Sequence, residues 1–408
     1  MISVEQAVEI VLGNLPARGT ERVSIQSVQG RVLAADLTAN CDVPPFNRSA
    51  MDGYAVCAAD TVGAPVSLEI AGESRAGGGG AATLRPGRAV SVMTGAPVPA
   101  DADAVQVIEQ TKRSDDGCRV TVLKPVHTGE NIVPRGSEAA SGEIVLEAGR
   151  LAGPSELAVL ATFGYESVMV WRRPSVALLT TGDELVEVHE EPHFGQIRNS
   201  NAHSLRGQLR LMGIEADYLG IARDDKQNLR DRMAQASARD VTILTGGVSM
   251  GEYDFVKEVL HEVGFKILFA GVAMRPGKPT VFARRGDRLA FGLPGNPVST
   301  FIAFENFVRP ALGRLCGIAR PELPRIHGAL TRDMKQSPGR TAYLPAQVRM
   351  AQVGWEIEPL RWRGSADIIG FARANAAVIF PADRDSMKGG ETAEALLLPD
   401  YFQRSQAR

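Results

Sequence analysis

The stretch from 241 to 255, VTILTGGVSMGEYDF, constrains the fold more than any other part of the chain. Its apolar β-formers predict a buried strand over 241–245, which runs into Gly246 and Gly247, and a helix is predicted over 253–263. A buried strand that ends in glycines before a helix exposes backbone N–H groups and the positive end of the helix dipole at one point. The stretch therefore fits a phosphate site at the carboxyl edge of a parallel sheet. An ordinary strand–turn–helix connection has the same pattern.

The segment around this stretch, from 171 to 321, alternates predicted strands with predicted helices. The strands are predicted over 175–181, 216–221, 241–245, 266–269, 280–283 and 289–291. The helices are predicted over 201–212, 226–238 and 298–315, the first of them capped by Asn199 or Ser200. This alternation predicts a mostly parallel α/β sheet that is covered on both faces.

Short strands separated by turns lie on either side of the α/β segment. Before it, strands over 54–56, 66–70, 89–93, 104–109 and 119–123 predict a small β domain. After it, strands over 326–330, 342–350, 355–359 and 376–379 predict a second small β domain that ends in a weakly ordered tail. The glycine run 77–80 is interpreted as a flexible hairpin tip, because no buried strand precedes it and no helix follows. Further helices are predicted within 1–15 and over 151–163.

Composition excludes several classes of protein. A length of 408 residues, 44% hydrophobic and 23% charged, predicts a soluble globular chain of several domains. A net charge of −2 gives no field that attracts nucleic acid. Four scattered cysteines without CxxC spacing argue against a zinc site or a disulfide framework and fit a reducing cytoplasm. The start lacks a basic region and a long apolar core, so no signal peptide is expected, and no apolar run is long enough to predict a membrane span.

The carboxyl ends of four predicted strands carry polar or acidic residues, and a parallel sheet brings such ends to one edge. They lie at 183–184, 224–225, 249–254 and 294–299. Arg275 and Lys278 place two cations on a proline-rich loop between the last two ends. Carboxylates beside glycine turns suit Mg²⁺, and the two cations suit a phosphate or another oxyanion. A single acidic strand end is commonly a helix cap or a solvated loop, so the prediction depends on several ends converging.

Other chemistries have less support in the sequence. His189 and His193 have i, i+4 spacing, but Pro192 lies between them, and a solvated loop explains them better than a ligand pair. No serine or cysteine has a base arranged near it in the sequence, so a covalent mechanism is not predicted.

Seven motifs, in this order along the chain, resemble those of the molybdopterin molybdenumtransferase family of the MoeA type, which is similar to the C-terminal domain of gephyrin. They are SAMDGYAV (49–56), MTGAPVP (93–99), TTGDEL (180–185), IRNSN (197–201), TGGVSMGEYDF (245–255), PGKP (276–279) and LPGNPVS (293–299). The resemblance implies insertion of molybdate into adenylylated molybdopterin, with release of AMP and molybdenum cofactor and with a divalent cation, usually Mg²⁺. It also implies a cytoplasmic homodimer whose active site is shared between subunits.

The resemblance also implies roles for individual residues. By matching position, the catalytic residues are Glu184, Asp254, Asp224 and Asp52, and the metal is held by Glu184 and Asp254. The implied substrate-binding residues are Thr94, Gly247, Ser249, Gly251, Arg275, Lys278, Pro294, Pro297 and Ser365. Transient contacts with the molybdopterin adenylyltransferase and with recipient molybdoenzymes are expected, and contacts with nucleic acid or membrane are not.

Four domains follow from the resemblance. They are a discontinuous linking and dimerisation domain (20–40 and 141–170), a small β domain (41–140), an α/β molybdopterin-binding domain (1–19 and 171–321) and a C-terminal β-barrel-like domain (322–408).

The chain departs from the family pattern at a few positions. The family often has an arginine where Pro345 stands, after Gly339-Arg340, so that cation is missing here. Lysines are common where Gly271 and Arg275 stand, and an acidic residue where Asn47 stands. These differences affect the anion contacts more than the fold.

Two alternative functions remain open at this stage. One is a molybdopterin adenylyltransferase-like enzyme, although those enzymes generally lack the first and last β domains. The other is a scaffold or binding protein like gephyrin, which would not require the acidic cluster.

Overall fold

The structure is a computed structural model and describes residues 1–17, 19–78, 83–223, 225–248, 255–399 and 401. The chain forms two compact units. The larger contains Met1–Ala34, Leu151–Gly153 and Ser167–Arg408, and the smaller contains Ala35–Arg150 and Pro154–Glu166. No helix in the described part of the chain is long and apolar enough to cross a bilayer.

A six-stranded sheet forms the centre of the larger unit. Across the sheet the strands are Ala216–Ala222, Val176–Thr181, Val241–Thr245, Arg288–Leu293, Val281–Arg285 and Lys266–Ala270. The first four strands pair in parallel, and Val281–Arg285 pairs antiparallel with both of its neighbours, Arg288–Leu293 and Lys266–Ala270. The predicted mostly parallel sheet is therefore confirmed, and each predicted strand agrees with an observed one to within two residues at either end.

Alternate residues of the central strands pack into two different hydrophobic cores. Val176 and Leu178 lie in one core, whereas Ala177 and Leu179 lie in the other. Because side chains of a strand alternate between the two faces, this pattern places helices on both sides of the sheet, as predicted. The helices of the larger unit span Val4–Gly13, Ser200–Arg210, Lys226–Ala236, Val256–Glu262, Pro297–Ala303, Arg309–Leu315 and Ile368–Phe371.

Two helix predictions need adjustment. The helix predicted over 298–315 is interrupted by a π-helical segment at Phe304–Val308, in which Glu305 forms a buried ion pair with Arg309, the first residue of the next helix. The helix predicted over 253–263 is seen as Val256–Glu262, and its first two predicted residues lie outside the described part of the chain.

A second sheet follows in the larger unit and closes on itself. Its strands are Met274–Arg275, Thr341–Ala351, Gly354–Pro359, Arg325–Leu330, Thr392–Leu397 and Ala376–Phe380, and the second also pairs with the last. Thr392–Leu397 lies between two other strands and was not among the predicted strands. The end of the chain, 402–408, where a weakly ordered tail is predicted, lies outside the described residues. The larger unit also contains separate two-stranded sheets. They pair Thr20–Ser24 with Ser167–Trp171, Leu185–Val186 with Ile197–Arg198, and Met334–Lys335 with Ser386–Met387.

This closed sheet shares a core with the central sheet. Tyr343 is 1% exposed and belongs to the core that also contains residues of the central sheet, whereas its neighbours Ala342 and Leu344 face the interior of the closed sheet. Ile379 and Val378 divide between the two cores in the same way. One face of the closed sheet therefore packs on the α/β domain and the other fills its own interior.

The smaller unit is built on a third six-stranded sheet. Across it the strands are Ala104–Val107, Gly53–Val56, Arg88–Val92, Val66–Ser74, Arg119–Val122 and Thr111–Arg113. Arg48–Ser49 pairs with Ile132–Val133, Leu37–Thr38 pairs with Ile144–Leu146, and one helix spans Pro154–Thr162. Three 3₁₀ turns, at Ile25–Ser27, Ala58–Thr61 and Ile108–Gln110, complete the described elements of the chain.

The prediction that 77–80 is the tip of a hairpin is wrong. The strands on either side, Val66–Ser74 and Arg88–Val92, pair in parallel and not antiparallel. Strands that pair in parallel do not form a hairpin. Gly79 and Gly80 lie outside the described residues.

Candidate active site

The carboxyl ends of three central strands meet at a glycine turn. The Gly246 N–H donates to the Leu293 carbonyl at 3.1 Å, and Gly246 has φ +94°. A β-carbon at this position would lie 2.2 Å from the Thr181 carbonyl oxygen. Only glycine satisfies both the backbone angle and the close approach, which explains the Gly-Gly pair after the buried strand.

A cavity of about 910 Å³ lies above this turn. Its walls come from the ends of the central strands, the proline-rich loop 275–279, the turn 294–297, and the closed C-terminal sheet with its loop 362–366. The lining residues that carry polar side chains or form the turns include Thr181, Glu184, Gly246, Gly247, Arg275, Lys278, Pro294, Asn296, Pro297, Ser299, Arg340, Trp362 and Ser365.

A buried hydrogen-bond network holds the PGNP turn at the base of the cavity. The Asn201 side-chain amide donates to the Thr245 hydroxyl at 3.0 Å and to the Gly295 carbonyl at 2.7 Å. The Thr245 hydroxyl in turn donates to the Pro294 carbonyl at 3.0 Å, and the Thr300 hydroxyl donates to the same carbonyl. Buried polar groups that are paired in this way fix one geometry, so the network sets the position of the turn.

A second network joins the neighbouring motifs. The Asn199 side-chain amide donates to the hydroxyls of Thr180, at 2.9 Å, and Tyr218, at 2.8 Å, while Tyr218 donates to Glu187 at 2.7 Å. Burial raises the pKa of Tyr218 to about 12, so its hydroxyl stays protonated and can donate to the Glu187 carboxylate. Asn199 also caps the helix Ser200–Arg210 by accepting from Ala202 N–H. The predicted Asn199 cap is therefore confirmed.

Two hydrogen bonds join the C-terminal domain directly to the PGNP turn and the residue that follows it. The Asn296 side chain donates to the Ser365 hydroxyl at 2.8 Å, and the Val298 N–H donates to the Ser365 carbonyl at 3.0 Å. Ser365 thus contacts the start of the helix Pro297–Ala303 through both its side chain and its backbone. This contact places the loop 362–366 in the cavity wall.

The charges on the described walls are unbalanced toward positive. Arg275, Lys278 and Arg340 line the cavity, whereas Glu184 is the only carboxylate among its described lining residues. Arg275 donates to the neutral Gln336 side chain at 3.2 Å, and none of these three cations forms an ion pair within the described residues. Such a wall is suited to anionic ligands.

Glu184 projects from the loop that follows Val176–Thr181. Its carboxylate folds over Gly182, where a β-carbon would lie 2.5 Å from Oε2. The side chain is exposed and lines the cavity, where its carboxylate oxygens can accept hydrogen bonds or contact a cation. Over the described residues, no group of three histidine, cysteine or acidic side chains is close enough to hold a metal ion.

In the smaller unit, the SAMDGYAV and MTGAPVP motifs run side by side. The Gly95 N–H donates to the Ser49 carbonyl at 2.8 Å, and the Ser49 N–H donates to the Ala96 carbonyl at 2.9 Å. This pairing brings Asp52 and Thr94 together. Asp52 Oδ1 accepts from the Thr94 N–H at 2.6 Å and from its hydroxyl at 3.0 Å, and these bonds lower the pKa of Asp52 below its ordinary value.

The predicted site residues therefore fall into three groups. Gly247, Glu184, Arg275, Lys278, Pro294, Pro297 and Ser365 line one cavity of the larger unit. Asp52 and Thr94 contact each other in the smaller unit. Asp224, Ser249, Gly251 and Asp254 lie outside the described residues.

One acidic strand end has a structural role. Asp225 caps the helix Lys226–Ala236 by accepting from the Asn228 N–H at 2.7 Å, and it does not line the cavity.

Sequence reasoning gave no site role to five polar or aromatic wall residues: Thr181, Asn296, Ser299, Arg340 and Trp362. Asn296 and Thr181 lay within recognised motifs, so their position next to glycine was a usable signal. Arg340 and Trp362 enter the cavity only because the last domain packs on the α/β domain, which no local pattern reveals.

Comparison with known protein families defines the class first. Residues 2–164 match the MoeA N-terminal region (domain I and II), residues 177–314 match a probable molybdopterin binding domain, and residues 327–398 match the MoeA C-terminal region (domain IV). The chain thus has the three-part organisation of MoeA-type proteins.

Whole-length relatives agree with this class. The chain is 33% identical to a molybdopterin molybdenumtransferase of Staphylococcus aureus strain Mu50, over 97% of this chain and 95% of the relative. A crystal structure of a molybdopterin biosynthesis moea protein from Pyrococcus horikosii is 31% identical, with a TM-score of 0.84 over 97% of this chain and 99% of that one. A second structure, from Pyrococcus horikoshii OT3, is 28% identical, with a TM-score of 0.82 over 98% of this chain and 100% of that one.

The chain belongs to the molybdopterin molybdenumtransferase family. It is a transferase with a role in molybdenum cofactor biosynthesis.

Proposed function

We propose that this protein inserts molybdenum from molybdate into adenylylated molybdopterin and releases AMP and molybdenum cofactor. The observation that carries the proposal is the cavity at the carboxyl edge of the central sheet, where a glycine turn, three cations that form no ion pair among the described residues, and Glu184 line one space. The substrate carries two linked phosphates and must meet an anionic oxometalate. A cationic wall offsets the repulsion between them.

Different residues of the cavity are proposed to bind different parts of the substrates. Gly246 and Gly247 allow a phosphate to approach the backbone at the strand ends, and the residues of the PGNP turn shape the opposite wall. Arg275 and Lys278 bind the oxyanion, and Ser365 adds a hydroxyl from the last domain. Ser249 and Gly251 are proposed to lie beside the substrate phosphates, because they match the family motif.

Mg²⁺ fits the donor type that Glu184 offers, because this ion is commonly held by one or two carboxylates together with substrate phosphate oxygens. We assign Glu184 and Asp254 as its protein ligands. When bound, the ion neutralises negative charge on the phosphates. Asp224 is proposed to orient the water that cleaves the bond between AMP and the pterin phosphate, with the proton passing to a carboxylate.

The proposed working unit is a homodimer in which Asp52 and Thr94 of one subunit complete the cavity of the other. The support is that these two residues form a defined pair in a unit that does not contain Glu184, together with the family membership. The chain is further proposed to act in the cytoplasm, and to contact the adenylyltransferase that supplies its substrate and the molybdoenzymes that receive its product.

The direct test mixes the protein with adenylylated molybdopterin, molybdate and Mg²⁺ and follows AMP by chromatography. AMP release that depends on molybdate, together with activation of a molybdenum-free apoenzyme by the product, is the expected result. Release of AMP without transferable cofactor would show that the protein hydrolyses adenylylated molybdopterin but does not insert molybdenum. Formation of adenylylated molybdopterin from ATP and molybdopterin, with no AMP release on adding molybdate, would instead support the adenylyltransferase alternative.

A further inference from the structure

We infer that Trp362 is a stacking surface for one of the two flat rings of the substrate, the adenine or the pterin, and so helps to determine which substrate the cavity accepts. The inference deepens the proposed function and rests on it. It concerns a residue that lies outside all seven motifs that carry the family resemblance.

Trp362 is the only aromatic residue among the described residues that line the cavity. The rest of the described wall consists of charged and small polar residues, glycines, prolines and a few aliphatic side chains. The proposed substrate has a flat heteroaromatic ring on each side of its two linked phosphates. Arg275 and Lys278 account for the phosphates, whereas Trp362 offers the broad, flat face on which a heteroaromatic ring stacks.

Hydrogen bonds hold the chain on both sides of Trp362. Before it, the Leu360 N–H donates to a backbone carbonyl of the closed sheet at 2.8 Å. After it, the Arg363 N–H donates to the Asp367 carboxylate at 2.9 Å. Ser365 ends this loop and contacts the PGNP turn and the following helix through its hydroxyl and its carbonyl. The backbone that carries Trp362 is therefore fixed against the cavity wall.

Packing sets the position of the Trp362 side chain. Trp362 is partly buried and packs against two cores, the one that contains the central sheet and the one inside the closed sheet, and it also lines the cavity. A ring that is held in place before a ligand arrives loses little conformational freedom on binding, which favours stacking. Trp355 provides the comparison, because it packs against the closed-sheet core, with its ring centroid 5.9 Å from that of Tyr401, and does not line the cavity.

Ring stacking on Trp362 has two properties that a purely structural role lacks. It contributes to the affinity of ligands that contain a ring and not to that of ligands that contain only the phosphates. It also depends on contact between uncharged surfaces, so mobile ions screen it little, whereas they weaken attraction to the Arg275 and Lys278 cations. A tryptophan that only filled the space between two cores would, when replaced, change the binding of all these ligands alike.

Two pairs of ligands, each with and without a ring, test the inference by calorimetric titration of the full-length protein at low and high salt. AMP is compared with ribose 5-phosphate, and 6-hydroxymethylpterin pyrophosphate is compared with inorganic pyrophosphate. The variants are Trp362→Leu, which removes the aromatic ring, Trp362→Phe, which keeps a smaller one, and Trp355→Leu, which removes a tryptophan outside the cavity.

Fluorine-19 NMR provides a second measurement that needs no folded Trp362→Leu variant. The unmodified sequence, labelled with 5-fluorotryptophan, has three tryptophan signals to follow. The signal that Trp362→Phe lacks belongs to Trp362. Addition of each ligand then shows directly whether a ring reaches this side chain.

The expected result for Trp362→Leu is a loss of affinity of roughly tenfold for at least one ring-bearing ligand, equal at both salt concentrations, with no change for its ring-free partner. Trp362→Phe should lose less and Trp355→Leu nothing, and the Trp362 fluorine signal should shift with the same ligand. A loss confined to AMP assigns Trp362 to the adenine, and a loss confined to the pterin ligand assigns it to the pterin.

Three results overturn the inference: unchanged affinities in Trp362→Leu, equal losses for ring-bearing and ring-free ligands, and a Trp362 signal that shifts with neither ring-bearing ligand. Failure of the proposed function appears separately, as absence of molybdate-dependent AMP release by the unmodified protein.

Discussion

Asp52 Oδ1 accepts two hydrogen bonds from a single residue, Thr94, through its backbone N–H and its hydroxyl. The two residues are far apart in sequence and meet because the SAMDGYAV and MTGAPVP motifs run side by side. Both bonds favour the ionised carboxylate, so the pair keeps Asp52 charged and oriented.

Replacing Thr94 by valine should raise the pKa of Asp52 toward its ordinary value, because the hydroxyl bond is lost while the backbone bond remains. A carboxyl with a depressed folded pKa stabilises the fold above its unfolded pKa, and that contribution disappears as the pH falls through the folded pKa. Carbon-13 NMR titration of labelled Asp52 measures the shift. Thr94→Ser, which keeps the hydroxyl, is the matched control and should titrate like the unmodified protein. An identical pKa in Thr94→Val and the unmodified protein would show that the hydroxyl bond does not act on Asp52.

Glu184→Gln should reduce molybdate-dependent AMP release at least about tenfold, equivalent to roughly 1.4 kcal/mol of barrier. The amide has the shape of the carboxylate but not its charge. Asp254→Asn is expected to behave alike, from the proposed shared metal. Circular dichroism should stay native in both. Asp287→Asn changes an exposed acid that does not line the cavity, and should leave the rate within about twofold. Near-normal AMP release from both Glu184→Gln and Asp254→Asn would contradict the proposed metal site.

Arg275→Ala and Lys278→Ala should each weaken binding of molybdate and of adenylylated molybdopterin. The difference from the unmodified protein should be larger at low salt, because mobile ions screen charge attraction. Affinities titrated across ionic strengths provide the measurement, with Arg349→Ala as the control for general loss of charge. If the affinities of both variants match the unmodified protein at every salt level, the loop serves a structural purpose only.

Gly246→Ala should destabilise the protein by about 1–3 kcal/mol or more, because alanine at φ +94° is strained and its β-carbon would lie 2.2 Å from the Thr181 carbonyl oxygen. Gly295→Ala is the matched control in the same cavity. Its β-carbon would meet nothing closer than the Gly246 α-carbon at 3.7 Å, and the expected cost is below about 1 kcal/mol. Urea denaturation followed by circular dichroism compares the two. Equal stability of the two variants would contradict the assigned close approach.

The proposed shared site predicts complementation between subunits. Asp52→Ala and Glu184→Ala homodimers should each be nearly inactive, whereas a mixed dimer holds one site with both lesions and one site with neither. After subunit exchange, about half the dimers are mixed, so activity should recover to about a quarter of that of the unmodified protein. Mass spectrometry of differently labelled subunits verifies the exchange. Verified exchange without recovery would mean that Asp52 serves its own subunit or no site.

Much of the central fold was predictable because each buried strand and amphipathic helix carries a local signal. The strand Val241–Thr245, for example, was predicted to the residue. Pairings between distant segments carry no such signal. The parallel pairing of Val66–Ser74 with Arg88–Val92 resembles a hairpin in sequence because the connection is short and rich in glycine.

The same distinction between local signals and distant pairings applies to the residues of the candidate site. Glu184 and Gly247 follow strands whose common edge could be foreseen from a parallel sheet. Arg340 could not be placed in this way, because its position depends on the pairing of Met274–Arg275 with a strand of another domain. Asp225 misled the prediction, since a helix cap and a site carboxylate look alike after a strand.

The division of Thr341–Ala351 between two cores bears on how this chain can vary over evolutionary time. Tyr343 packs in the core of the α/β domain, while Leu344 packs in the interior of the closed sheet. The two domains therefore meet through a shared hydrophobic core. A recombination event that brought in a last domain from a distant relative would leave Tyr343 and its partners without matching neighbours. The two domains are therefore expected to be inherited as one block.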